Sequence, residues 1–165
     1  GARLAGPAEA YRDPIKLFAR NLGVGFQILN DLKDWQGDND NKLLAGGDIF
    51  GGRPTLLWAL ALEGLNASDR AELLSLADNA VQAIDDSDKM KILRRVRELY
   101  RQADVFEKAN RLVDKHQQRA ESVADEIAPD ELRRLFYYLI DTALDRPADK
   151  EPMVVSDKIE VIPSA

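Results

Sequence analysis

Apolar positions in this chain recur mostly at three- and four-residue spacing, the period of helices that bury one side. The stretch GVGFQILNDLKDW, residues 23–35, departs from that pattern. On a helical wheel Gly23, Gln27, Asn30 and Asp34 share one narrow stripe, with Asp31 beside it. Leu22, Phe26 and Leu29 flank one edge, and Val24, Ile28, Leu32 and Trp35 the other. A helix apolar nearly all round belongs inside a bundle, so the polar stripe is expected to face an internal cavity. Carboxylates gathered there repel one another and lose water unless a cation compensates. The residues alone therefore point to a metal site.

The remaining pattern predicts more helices. Asp13-Pro14 reads as a helix start, with an acid at the N-cap and proline at the first helical position, and the helix runs over residues 14–35. Residues 1–8 read as the end of an earlier helix. Residues 36–53, rich in glycine and aspartate, predict a long loop, a common place for function. Pro54 opens a second apolar helix that ends near Gly64. Asn66 or Ser68 caps a third, running to about Ala83, with Leu73, Leu74, Leu76, Ala80 and Ile84 on its apolar side. The acidic run Asp85, Asp86, Asp88 suits the start of the next helix better than a metal site.

That helix, over residues 89–101, carries Lys89, Lys91, Arg94, Arg95, Arg97 and Arg101 on what reads as a solvated side. Ile92, Leu93, Val96 and Leu99 form its apolar face. Residues 104–127 predict a long amphipathic helix, with Phe106, Leu112, Val113, Val123 and Ile127 inward and His116 an exposed bystander. Pro129-Asp130 opens a last helix to about Leu144, with Leu132, Leu135, Phe136, Leu139 and Ile140 as its core stripe. The expected organisation is one all-α helical domain over residues 1–146 and an extended or disordered tail over 147–165.

Composition narrows the chemistry. At 165 residues the chain fits one domain with a real core. A net charge of −6 argues against a nucleic-acid partner. With no cysteine, disulfides and thiolate metal sites are excluded within this sequence, and a single His116 leaves little scope for a histidine triad or a multi-histidine metal site. No apolar run is long enough for a membrane span, and the expected location is the cytoplasm. The opening GARLAG, with no initiator Met and no signal peptide, reads as a processed chain or a fragment. Arg53 stands ahead of the second helix, where a cation opposes the dipole unless an anion sits between them. An ion pair from Arg53 to Asp48 or Asp34 is the competing role.

GVGFQILNDLKDW followed by GGDIFGGRPTLLWALALE resembles the second aspartate-rich region of trans-prenyl diphosphate synthases. Phe26-Gln27, Asp31, Asp34, Asp48, Arg53, Thr55 and Leu56 match that family's pattern in place, and GARLAG resembles the segment after its Lys-Thr diphosphate-binding pair. The resemblance spans residues 1–146, the C-terminal half of such an enzyme. It implies an antiparallel bundle of the isoprenoid-synthase type, incomplete at its N-terminal side. It also implies Mg²⁺-dependent, chain-elongating transfer of an allylic prenyl group to isopentenyl diphosphate, in a homodimer or a pairing with a related subunit.

By the same resemblance, Asn30, Asp31, Asp34 and Asp48 make up the metal set. Gln27 and Asp31 act at the reacting end of the allylic substrate, and Arg53 and Lys42 contact diphosphate. The chain departs from the family where Asn30 replaces the first acid of the motif and Leu44 the loop lysine. The sequence holds no DDxxD first motif and no Lys-Thr pair, so the chain by itself is expected to be inactive. The alternative is a non-catalytic relative that serves as a partner subunit or binding protein.

Overall fold

The computed structural model describes residues 9–36 and 46–146. It has seven helices, and no strand among the described residues. They are α1 (Glu9–Gln36), α2 (Gly47–Phe50), α3 (Leu56–Gly64), α4 (Ala67–Gln82), α5 (Asp86–Gln102), α6 (Val105–Glu126) and α7 (Asp130–Ala143). The all-α class is as the periodicity predicts. The expected tail, the first eight residues, Lys42 and Leu44 lie outside the described residues.

Helix α1 lies along α6, which also carries α3 and α7, while α4 packs on α5 and on the short α2. Val105, Ala109, Val113, Ala120 and Ala124 form the fully buried side of α6. The three alanines let the facing backbone come close, and the buried face of α1 fills the space with Phe18, Ile28, Leu29, Leu32 and Trp35. At the α1–α7 contact Phe18 and Phe136 stack with ring centroids 3.8 Å apart and planes 16° from parallel.

Several element ends differ from the sequence expectation. Helix α1 already runs at Glu9, so Pro14 falls inside it and not at its start. Tyr11 and Ile15 pack on the core to either side of that proline, and packing overrides the cap signal and the lost backbone bond. Helix α3 is capped by Thr55, whose Oγ1 accepts the Trp58 N–H at 3.3 Å, which leaves Pro54 just outside. Asn66 is the cap of α4, accepting the Asp69 N–H at 2.9 Å.

Asp85 occupies the α5 N-cap position without a side-chain cap bond. Asp86 and Asp88 instead pair with Lys89 and Lys91, at 3.6 and 2.9 Å. Leu74 and Ile84 are not core: both are exposed, Ile84 because it lies past the end of α4. On α7 only Phe136 and Ile140 are buried, and Leu135 is 48% exposed.

Two polar residues expected at the surface act between helices. His116 is half-buried, with Nδ1 3.0 Å from Oδ1 of the buried Asn21. The Asn21 amide nitrogen donates to the Leu17 carbonyl at 2.9 Å, so its oxygen is the acceptor and His116 Nδ1 carries the proton. Burial first, then the charges of Arg119, Lys115 and Arg20, lower the His116 pKa. The basic run of α5 is not wholly solvated either. Arg95 donates Nε and Nη2 to Glu72 of α4, at 2.6 and 2.8 Å, and Nη1 to Glu98 at 2.9 Å.

Candidate functional site

The polar stripe of α1 does not face an enclosed cavity among the described residues. Gly23, Gln27 and Asn30 are exposed, Asp34 is half-buried and Asp31 is buried. The wheel fixes which residues share a side, but α6 covers the opposite side, that of Gly25, Ile28, Leu29 and Leu32. Phe26, 44% exposed, and Val24, 38% exposed, border the open stripe. A Cβ added to Gly23 meets nothing within 4 Å, so at that point the helix is clear of the other described residues.

At its C-terminal end the stripe meets the loop before α3. Gly46 adopts φ 77°, a left-handed conformation that favours glycine, and a side chain there would collide with Leu93. Its N–H donates to the Asp34 carbonyl at 3.1 Å. The turn that follows, α2, places Gly47 and Asp48 beside Asp34: a Cβ on Gly47 would stand 3.6 Å from Asp34 Oδ1, and the Asp48 backbone amide favours the charged carboxylate. The Arg53 N–H returns to the Asp48 carbonyl at 2.9 Å, and the Arg53 guanidinium stands 3.7 Å from the Asp48 carboxylate. Asp34, Asp48 and Arg53 are thus one cluster. The Arg53–Asp48 ion pair foreseen as the competing role is present, but the Arg53 side chain is 77% exposed and remains available to an anion.

Asp31 has a different setting. Gln27 Nε2 donates to its Oδ1 at 3.0 Å, and the Leu56 N–H, at the start of α3, reaches its Oδ2 at 3.4 Å. Its carboxylate is therefore engaged on both oxygens, and it ties α1 to α3. Asp34 is the opposite case: its Oδ2 is buried with no hydrogen-bond partner. Burial, the Asp48 charge and more weakly the Asp31 charge raise the Asp34 pKa, against the Asp48 amide bond and the Arg53 charge. That Oδ2 oxygen is one that could take a cation.

The donor set suits a hard divalent ion, since Asp31, Asp34, Asp48 and the Asn30 carbonyl offer oxygen alone. Among the described residues no group of three or more Asp, Glu or His side chains converges closely enough to hold a metal ion unaided. Magnesium is commonly held by one or two carboxylates, with water and substrate phosphate completing its shell, and Asp34 and Asp48 match that requirement.

Helix α5 forms the back of the cluster with residues not anticipated as neighbours. Tyr100 is fully buried, its hydroxyl has no hydrogen-bond partner, and its ring lies 4.8 Å from that of Trp35. Burial first, then the Asp48 and Asp31 charges, push its pKa up. Arg97 donates Nη2 to the Trp35 carbonyl, with its guanidinium carbon 6.0 Å from the Trp35 ring centre. One sequence signal was available: Arg97 and Tyr100, three apart, border the Leu93–Val96 face and so share its side.

Residues 1–95 match the polyprenyl synthetase family. A stretch of 70 residues is 37% identical to an all-trans-nonaprenyl-diphosphate synthase (geranyl-diphosphate specific) from Rhodobacter capsulatus, covering 42% of this chain and 21% of that protein. No solved structure matches.

Proposed function

The chain belongs to the polyprenyl synthetase family, and from that premise we propose that it carries the diphosphate and metal half-site of a prenyl diphosphate synthase. The reaction is chain-elongating transfer of an allylic prenyl group to isopentenyl diphosphate. The observation that carries the proposal is the cluster of Asp34, Asp48 and Arg53, with the Asp34 Oδ2 buried and unpartnered. Bound Mg²⁺ supplies charge neutralisation to a departing diphosphate. Asp34 and Asp48 hold that ion from the protein side, and Arg53 takes the diphosphate oxygens in its planar fork. Gln27, exposed on the stripe and held by Asp31, is the side chain assigned to the prenyl end of the substrate. Phe26 and Val24 supply apolar contact next to it. A homodimer or a related subunit covering this open side of α1 belongs to the same proposal.

Metal and anion are expected to bind together. In thermal melts of this chain, Mg²⁺ alone and inorganic diphosphate alone should each stabilise weakly, and the two together by more than their sum. At a hundredfold excess over Kd the joint effect is about 2.7 kcal/mol. Asp48→Asn and Arg53→Met should each remove most of the synergy. Additive effects in the unsubstituted chain would refute a joint site.

Two observations favour a second reading, a non-catalytic subunit of the same family. Asn30 replaces an acid, and Asp31 is committed to Gln27 and the α3 backbone. On either reading this chain by itself is expected to condense no isopentenyl diphosphate with dimethylallyl, geranyl or farnesyl diphosphate, since its sequence holds no DDxxD motif. Radiolabel incorporation above a no-protein control would contradict that.

A further inference from the structure

We infer that Arg97 of α5 is a positioning residue for Asp34. It holds the carbonyl and ring of Trp35 and thereby fixes the last turn of α1, from which the Asp34 carboxylate meets the residue 46–48 turn. The inference deepens the site proposed above and rests on that reading only for its functional consequence.

The last carbonyls of a helix have no intrahelical partner. In α1 the Asp34 carbonyl is taken by the Gly46 N–H and the Trp35 carbonyl by Arg97. A cation at a helix C-terminus also meets the favourable end of the dipole. Arg97 is half-buried and, among the described residues, forms no ion pair with an acid. Burial and the neighbouring Arg101 lower its pKa, so its placement costs free energy. The Trp35 carbonyl and ring are what it receives in exchange, a charge-assisted hydrogen bond and a cation–π contact.

The Trp35 ring has a second task. It lies 3.5 Å from where a Cβ of Gly46 would stand, and it packs on Tyr100 and Phe106. The left-handed Gly46 turn therefore rests on Leu93 and Trp35, and Gly47 and Asp48, which stand beside the Asp34 carboxylate, follow directly. The path from Arg97 to the acid pair is a series of contacts: Arg97 to Trp35, Trp35 to Gly46 and Asp34, and Asp34 to Asp48.

Amide hydrogen exchange on the full chain tests this without metal. Arg97→Met keeps the stem and removes the donor. The Gly46 and Ile49 amides, bonded to the Asp34 and Gly46 carbonyls, are expected to exchange about tenfold faster, the loss of one charge-assisted bond, while those of Val113 and Ile140 keep their rates. Arg97→Lys keeps a charge and a donor but loses the planar stack; about threefold faster exchange at the same two amides is expected, and this variant decides the matter if Arg97→Met does not fold. Uniform acceleration across the chain, unchanged rates, or unprotected Gly46 and Ile49 amides in the unsubstituted chain would each overturn the inference.

Repeating the measurement with Mg²⁺ and inorganic diphosphate separates the two claims. Where the site is as proposed, both ligands together slow the Gly46 and Ile49 amides of the unsubstituted chain, and Arg97→Met weakens that apparent affinity about tenfold. No slowing in the unsubstituted chain refutes the metal and diphosphate site, while the metal-free exchange still decides the role of Arg97.

Discussion

Truncating Phe136 to alanine is expected to lower folding stability by about 3–5 kcal/mol, the range for buried aromatic-to-alanine changes. Phe136 is 4% exposed and stacks on Phe18, itself 3% exposed, so the truncation opens a cavity between α1 and α7. Helix α7 buries only Phe136 and Ile140, and neighbouring side chains offer little to refill the space. Phe136→Leu, which keeps most of the volume, is expected to cost less, on the order of 1–1.5 kcal/mol. Leu135→Ala is the control. The periodicity of α7 places Leu135 in the same core stripe, yet it is half exposed, and its truncation is expected to stay within about 0.5 kcal/mol. Urea midpoints for the three variants decide the matter. Equal losses at positions 135 and 136 would mean that α7 is rotated from the packing described.

The contrast between Leu135 and Phe136 marks how far the sequence could be read. Helical periodicity and turn residues are local signals, and they were enough for an all-α chain with breaks near Pro54, Asn66, Asp85, Asp104 and Pro129. They do not settle which angle of a helix is covered. The α1 stripe was grouped correctly, but it lies on the open side because the small residues of α6 take the other face. Asp13-Pro14 has the chemistry of a helix start, yet the helix passes through it because Tyr11 and Ile15 are held by distant side chains. Asp34, Asp48 and Arg53 are linked in the sequence only through the family resemblance and through the competing ion pair of Arg53, of which the Arg53–Asp48 pair is present. The backbone amide that engages Asp31 belongs to Leu56, 25 residues away, and no periodicity reports such a contact. Arg97 and His116 were misjudged for the same reason: each is a polar residue whose partner lies on another helix.

Asp31 and Asp34, three residues apart on one helix, are expected to give opposite stability results. Asp31→Ala should cost about 2–3 kcal/mol, because it removes the acceptor of two hydrogen bonds to a buried charged group. It also leaves the first turn of α3 without its carboxylate. Asp31→Asn retains one carbonyl acceptor and should lose roughly half as much.

Asp34→Asn should leave stability unchanged or raise it by up to about 1 kcal/mol. Its charge is held in a partly desolvated position beside Asp48, and its Oδ2 has no partner to lose. The ligand response should reverse that order. Asp34→Asn should abolish the joint stabilisation by Mg²⁺ and inorganic diphosphate, since it removes the bare carboxylate oxygen. Asp31→Asn should retain most of it, because that side chain serves the α1–α3 connection. Urea unfolding at neutral pH, with and without both ligands, gives the three stabilities and the two ligand responses. An Asp34→Asn variant as destabilised as Asp31→Ala, with or without the ligands, would make Asp34 a structural anchor. The cluster would then lose the one feature that marks it as a place for a cation.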